Sequence, residues 1–173
     1  MSLVVLSSMP LCAAEDPELG EPVNGLQAEL VLDRAVFSTG TAIPVRAVLR
    51  NVSNQILSVF TGLIPIYNAD GEILFILETL AGEPVRVIHG IDERAAPQMA
   101  DFQRLEPGQS LGVRAELSPD QWQMKLGSYR LKVQLNIRAN RAYEGTEFRP
   151  VEHVWTGTVV SNTVEITIHE PMP

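Results

Sequence analysis

A single cysteine, Cys12, stands in the whole chain. No intramolecular disulfide can therefore form, which excludes the small stapled extracellular scaffolds. Basic residues are also scarce: thirteen face twenty-one acidic ones, for a net charge of −8 and a pI near 4.8. Such a surface repels phosphate backbones and anionic lipid heads, so nucleic acid and direct membrane insertion are set aside as partners. No apolar run is long enough to span a bilayer, and no stretch holds a 3.6-residue apolar stripe long enough for a substantial helix. The residues from Pro119 to Met124 could form one short turn. No repeat or low-complexity tract occurs.

The chain of 173 residues is read as a short leader followed by one domain, long enough to bury roughly two thirds of the surface of its unfolded form. The start is informative through a further lack, since the first positive charge is Arg34. Leu3 to Leu11 followed by Cys12-Ala13-Ala14 resembles the apolar and cleavage regions of a secretory signal without its basic beginning. The expected organisation is a leader over 1–14, a flexible acidic lead-in over 15–25, and a folded domain over 26–170. An ordinary apolar N-terminal strand is the alternative for the first segment. Export implies a periplasmic or secreted bacterial protein, and cleavage after Ala14 would leave no cysteine.

Beyond the lead-in, apolar residues alternate with a period of two. Leu26, Ala28, Leu30 and Leu32 form one row, and Ile43, Val45, Ala47 and Leu49 another. Leu111 to Leu117, Tyr129 to Ile137 and Val164 to Ile168 repeat the pattern. Turn chemistry separates them at Ser38-Thr39-Gly40, Asn51 to Asn54, Asn68 to Gly71, Pro107-Gly108 and Ser118-Pro119-Asp120. Many short strands without helical crossovers predict an all-β antiparallel sandwich of about seven to nine strands.

Short motifs carry a resemblance at this point. Leu126-Gly127-Ser128-Tyr129, opening the penultimate strand after a Pro-Asp turn, resembles a tyrosine corner, whose phenol bonds a backbone group a few residues upstream. Trp155-Thr156-Gly157 with Ser161 to Ile166, and Phe37 to Gly40, are similar to segments of secreted bacterial immunoglobulin-like β-sandwich domains. The resemblance covers Leu26 to Ile168 and implies architecture rather than activity. The paired cysteines of antibody domains are lacking.

Catalytic patterns are weak. Gly108-Gln109-Ser110-Leu111-Gly112 matches a nucleophile elbow in letters, but a loop precedes Ser110 and a strand-like alternation follows it, the reverse of the required context. Asn68 to Glu72 echoes a calcium loop whose first and last ligands would be Ile66 and Leu77, so a hairpin turn is the better reading. His89, His153 and His169 have no metal-ligand spacing, although the fold could gather His89 and His153. The sequon Asn51-Val52-Ser53 is read as accidental. The sequence implies no enzyme, no cofactor and no metal.

Two long connections, His89 to Pro107 and Ala139 to Val154, hold the candidate binding residues, because long loops on a small domain tend to be functional. These are His89, Asp92, Glu93, Arg94 and Phe102 in the first, and Arg141, Tyr143, His153 and, just beyond, Trp155 in the second. A second candidate surface comes from Leu63 to Leu77, which reads as a hairpin apolar on both faces; Leu63, Ile64, Ile66, Tyr67, Leu74 and Ile76 are its candidate interface residues. An antiparallel sheet usually leaves its outer face polar, so three coverings are open: the protein's own loop through Ile91, Met99, Phe102 and Leu105, a partner chain, or the apolar leader. The functional expectation is a non-catalytic exported binding or structural domain that engages another macromolecule, a protein or a second copy of itself as a homodimer, through the long loops or the apolar hairpin. An all-β proteinase inhibitor and a metal- or serine-dependent hydrolase are the alternatives.

Overall fold

Alternation decides which side chains meet. In a computed structural model describing residues 19–63, 71–87, 96–118 and 125–171, the chain is all-β, with thirteen strands and one 3-10 turn, Met99–Asp101. β1 (Leu26–Val31), β3 (Ile43–Asn51) and β8 (Ser110–Leu117) form a three-stranded antiparallel sheet in the order β1-β3-β8. A larger sheet runs β2 (Val36–Ser38), β13 (Val164–His169), β9 (Gly127–Ile137), β5 (Gly71–Thr79), β6 (Pro84–Val85), with β12 (Gly157–Val160) also beside β9. Neighbours in it are antiparallel except β2, which runs parallel to β13.

The rows expected from alternation face inward. Leu26, Ala28 and Leu30 from β1 and Ile43, Val45, Ala47 and Leu49 from β3 share one buried cluster with Ile73, Phe75 and Leu77 of β5, Tyr129 to Ile137 of β9, and Ile166 and Ile168 of β13. Two sheets thus bury one core between them, each large apolar side chain contributing ~1.5–3 kcal/mol. Strands are shorter and more numerous than expected. The last strand is one reason: it breaks at Ser161-Asn162-Thr163, between β12 and β13. The break has a role. Ser161 Oγ accepts the Val133 amide at 3.0 Å and Asn162 Oδ1 accepts the Leu30 amide at 2.6 Å, tying the larger sheet to β1.

The tyrosine corner is present. Tyr129, 6% exposed, donates its hydroxyl proton to the Lys125 carbonyl at 2.8 Å and accepts the Lys125 amide at 3.0 Å. Leu19 to Gly25, the end of the stretch read as a free lead-in, lies against the sandwich instead. Gly20 is wedged where a Cβ would stand 2.1 Å from the Val160 carbonyl oxygen. Gln27 Nε2 donates to the Gly20 carbonyl at 2.9 Å, and Asn24-Gly25, both at positive φ, turn the chain into β1.

Only part of the expected apolar hairpin falls on described residues. Residues 64–70, with Ile64, Ile66 and Tyr67, lie outside the described residues, but Leu63 packs where a Cβ on Gly71 would meet it at 2.7 Å. A hairpin turning at Asn68 to Gly71 would set Leu63 across from Ile76, five residues further along. β5 pairs along its length with β9, and β4 (Leu57–Phe60) pairs with β7 (Phe102–Leu105). Leu63 is 5% exposed and belongs to the core. On the outer face of β5, Leu74 and Ile76 are half-buried beside Gln134 and Lys132 of β9. Lys132 Nζ reaches Glu78 at 3.7 Å, so its aliphatic stem runs along the apolar strand before its charge is met. Of the residues expected to cover this face, Phe102 packs on Phe60, Leu105 enters the core, Met99 is exposed, and Ile91 lies outside the described residues.

Candidate functional site at one end of the sandwich

The two long connections are not structureless, and each contains strands. β4 and β7 pair in register, bringing Phe60 and Phe102 to a ring separation of 5.4 Å. Arg141–Glu144 (β10) and Glu147–Pro150 (β11) form a hairpin, turned at Gly145 with φ of 68°. Tyr143 packs edge-on against Phe148 at 5.3 Å and 68°, an arrangement favoured by the ring quadrupoles.

Backbone bonds then join the two excursions. The Tyr143 amide donates to the Pro97 carbonyl at 2.6 Å, and Gln98 and Tyr143 form a parallel bridge. The Trp155 amide donates to the Ser58 carbonyl at 2.9 Å, and the Ser58 amide to the His153 carbonyl at 2.8 Å. Segments more than forty positions apart thus meet at the end of the sandwich where β5 begins and β9 finishes. Between them lies a cleft of about 270 Å³ lined by Pro97, Arg138, Ala139, Asn140, Arg141 and Phe148. Phe148 is 54% exposed.

Asn51 fixes this end from below. Fully buried, it donates from Nδ2 to the Gln55 and Leu105 carbonyls at 2.7 and 2.9 Å, and its Oδ1 accepts from Ser53. An amide nitrogen committed twice inside the protein is no acceptor for a glycan.

Beside the cleft lies a carboxylate that belongs to no sequence-predicted site. Glu72, 2% exposed, accepts at Oε1 from Asn136 Nδ2 and from an Arg138 guanidinium nitrogen, both at 2.7 Å. Asn136 Oδ1 in turn accepts from Gln134 Nε2 at 3.1 Å and Thr158 Oγ1 at 2.8 Å. Glu72 Oε2 is buried without a hydrogen-bond partner among the described residues. Arg138 therefore has one end on a buried anion and its chain in the wall of the cleft. The signal was readable in principle: Glu72 is the only charge among Gly71 to Leu77, and a lone carboxylate heading an apolar strand needs a partner.

Of the predicted residues, Arg141 is exposed in the cleft wall, Tyr143 is half-buried beneath Phe148, and Phe102 is half-buried on Phe60. His153 is exposed in a left-handed conformation with φ of 54°. Trp155 is a core residue, 3% exposed, whose Nε1 donates to the Val23 carbonyl at 3.0 Å. Leu63 likewise is core, and Leu74 and Ile76 lie on the outer face of β5, away from the cleft residues in register. His89, Asp92, Glu93 and Arg94 lie outside the described residues. Ser110 opens β8 after a turn closed by the Gln109 amide on the Glu106 carbonyl at 3.0 Å, so a strand stands where an elbow requires a helix.

No family model matches the chain, and no curated protein matches it. Among solved structures, the chain is similar to part of a mutant β-glucosidase from Listeria innocua in complex with laminaribiose, with 13% identity, a TM-score of 0.40 and 83% of this chain covered. It is similar also to part of β-glucosidase from the same organism with isofagomine, at 11% identity, a TM-score of 0.39 and 83% coverage. The chain spans 16% of the length of each glucosidase.

Proposed function

We propose that this chain is a non-catalytic, exported, immunoglobulin-like domain that binds another protein through the end built from β10, β11 and the Pro97–Asp101 segment. The observation that supports it most directly is the convergence of two distant excursions on one cleft, with Phe148 exposed at its rim and Arg141 in its wall. An aromatic and an arginine held on paired strands have the makings of an interface anchor, since such residues bury much area at small entropic cost. The signal-like Leu3 to Ala14 supports export.

The reading predicts that a partner recovered with the full chain is lost when Phe148→Ala and Arg141→Ala are combined. Each anchor is expected to weaken binding by at least about 2 kcal/mol, roughly thirtyfold. Calorimetric titration against the recovered partner measures this, with circular dichroism confirming the fold. Equal affinity of the double variant would assign recognition elsewhere on the molecule. Potent inhibition of a protease by the intact chain, lost on cleavage within 145–150, would favour the all-β proteinase-inhibitor reading instead.

A further inference from the structure

The outer face of the three-stranded sheet holds a charge arrangement that the sandwich itself does not use. β3 and β8 pair so that Arg46 stands directly across from Arg114. Val31 of β1 completes the row on the other side of Arg46. Side chains directly opposite in an antiparallel pair have Cβ atoms about 5 Å apart, and like charges placed so are destabilising. Both arginines are exposed, and neither forms an ion pair with any described residue. Arg34, Arg50, Arg86, Lys125 and Arg141 likewise form no ion pair with described residues; what sets Arg46 and Arg114 apart is that, in the described strand registers, they alone place one cation directly opposite another. In a chain of charge −8, two facing cations without a counter-ion among the described residues are conspicuous.

They also line a depression, about 550 Å³, together with Val31, Asp33, Pro44 and Glu116. That volume suits a small molecule. Gly112, next to Arg114 on the same face, leaves room for the Arg46 stem, whose Cδ would lie 3.5 Å from a Cβ there. At the rim, Asp33 and Glu116 are acceptors without an ion-pair partner among the described residues.

We propose that this depression is a binding site for a small carboxylic acid bearing hydroxyl or ammonium donors, its carboxylate held between Arg46 and Arg114 and its donors facing Asp33 and Glu116. A carboxylate has two oxygens to offer two guanidinium forks, and each charge-assisted bond exceeds a neutral one. The flanking acids disfavour a doubly charged phosphate and a polyanion, which the net charge repels as well. The site is separate from the loop-end cleft: Arg46 lies five residues along β3 from Asn51, which anchors that end.

The experiment follows the arginine Nε–Hε resonances of the full chain while gluconate or L-serine is added, with sorbitol and inorganic phosphate as controls. The proposal expects saturable shifts at Arg46 and Arg114 for the acids, with midpoints in the millimolar range or below, and none for sorbitol. Arg46→Ala or Arg114→Ala should weaken binding about tenfold or more. Arg114→Lys, which keeps the charge but not the fork, should fall between. Without ligand, Arg46→Gln should melt no lower than wild type, because it relieves a like-charge pair. Shifts that never saturate, shifts shared equally by all exposed arginines, phosphate binding as tightly as the acids, or undiminished affinity in both alanine variants would each overturn the proposal.

Discussion

Single residues here do two kinds of work, closing backbone accounts and placing charge. Tyr129 does the first, since its hydroxyl both donates to and accepts from the Lys125 backbone. Tyr129→Phe removes both bonds while keeping the ring in the core, so a loss of about 1 kcal/mol or somewhat more in urea unfolding is expected. An unchanged midpoint would mean that the corner contributes nothing to stability. Glu72 and Arg138 do the second. Arg138→Ala leaves a buried carboxylate with Asn136 as its remaining donor, whereas Glu72→Gln removes the charge that needed compensation. Breaking a buried pair from one side typically costs about 3–5 kcal/mol; because the Arg138 side chain is 44% exposed, the expected loss for Arg138→Ala lies below that range, at about 2 kcal/mol. Glu72→Gln should cost less. The reverse order in denaturant titrations would show that the guanidinium, not the carboxylate, is the group that requires its partner.

At the scale of elements, what was legible followed from local chemistry. Strands with strict alternation, β1, β3, β8, β9 and β13, were readable because one buried face imposes a period of two. The tyrosine corner was readable because its partner lies four residues away. Pairing between distant segments was not. Nothing in Leu57–Phe60 announces that it will choose Phe102–Leu105, or that Tyr143 will meet Pro97, because those choices depend on what the rest of the fold leaves unpaired. The apolar stretch Leu63 to Leu77 shows the same limit: nothing in its letters announces that β5 takes β9 as a partner over nine positions. Of the predicted binding residues, Arg141 lines the cleft and Tyr143 packs against Phe148 of its wall, whereas Trp155 is core for a physical reason: an aromatic at the end of a charged stretch looks exposed until a distant carbonyl, that of Val23, takes its N–H.

For the whole molecule the question is how much apolar surface remains for a second copy. Exposed large apolar side chains among the described residues are Leu19, Val36, Val52, Leu80, Met99, Leu126 and Phe148, and they come from separate elements and turns. A stable homodimer buries about 800 Å² on each partner around a contiguous apolar centre. The best remaining stripe among the described residues is Leu74 and Ile76, and both are half-buried beside β9 side chains that end in amide or charge, Gln134 and Lys132. We therefore expect light scattering to give the monomer mass at concentrations up to about 100 μM, a Kd weaker than which corresponds to less than roughly 5.5 kcal/mol of association. The choice of control matters. Ile76 stands across from Lys132, so Ile76→Lys would set like charges opposite each other and confuse a folding defect with lost association. Ile76→Glu places an anion beside Lys132 and leaves the pairing intact. A dimer mass in the wild type, abolished by Ile76→Glu with the fold retained, would show that the outer face of β5 is an interface after all and that half-burial beside Lys132 is not cover enough.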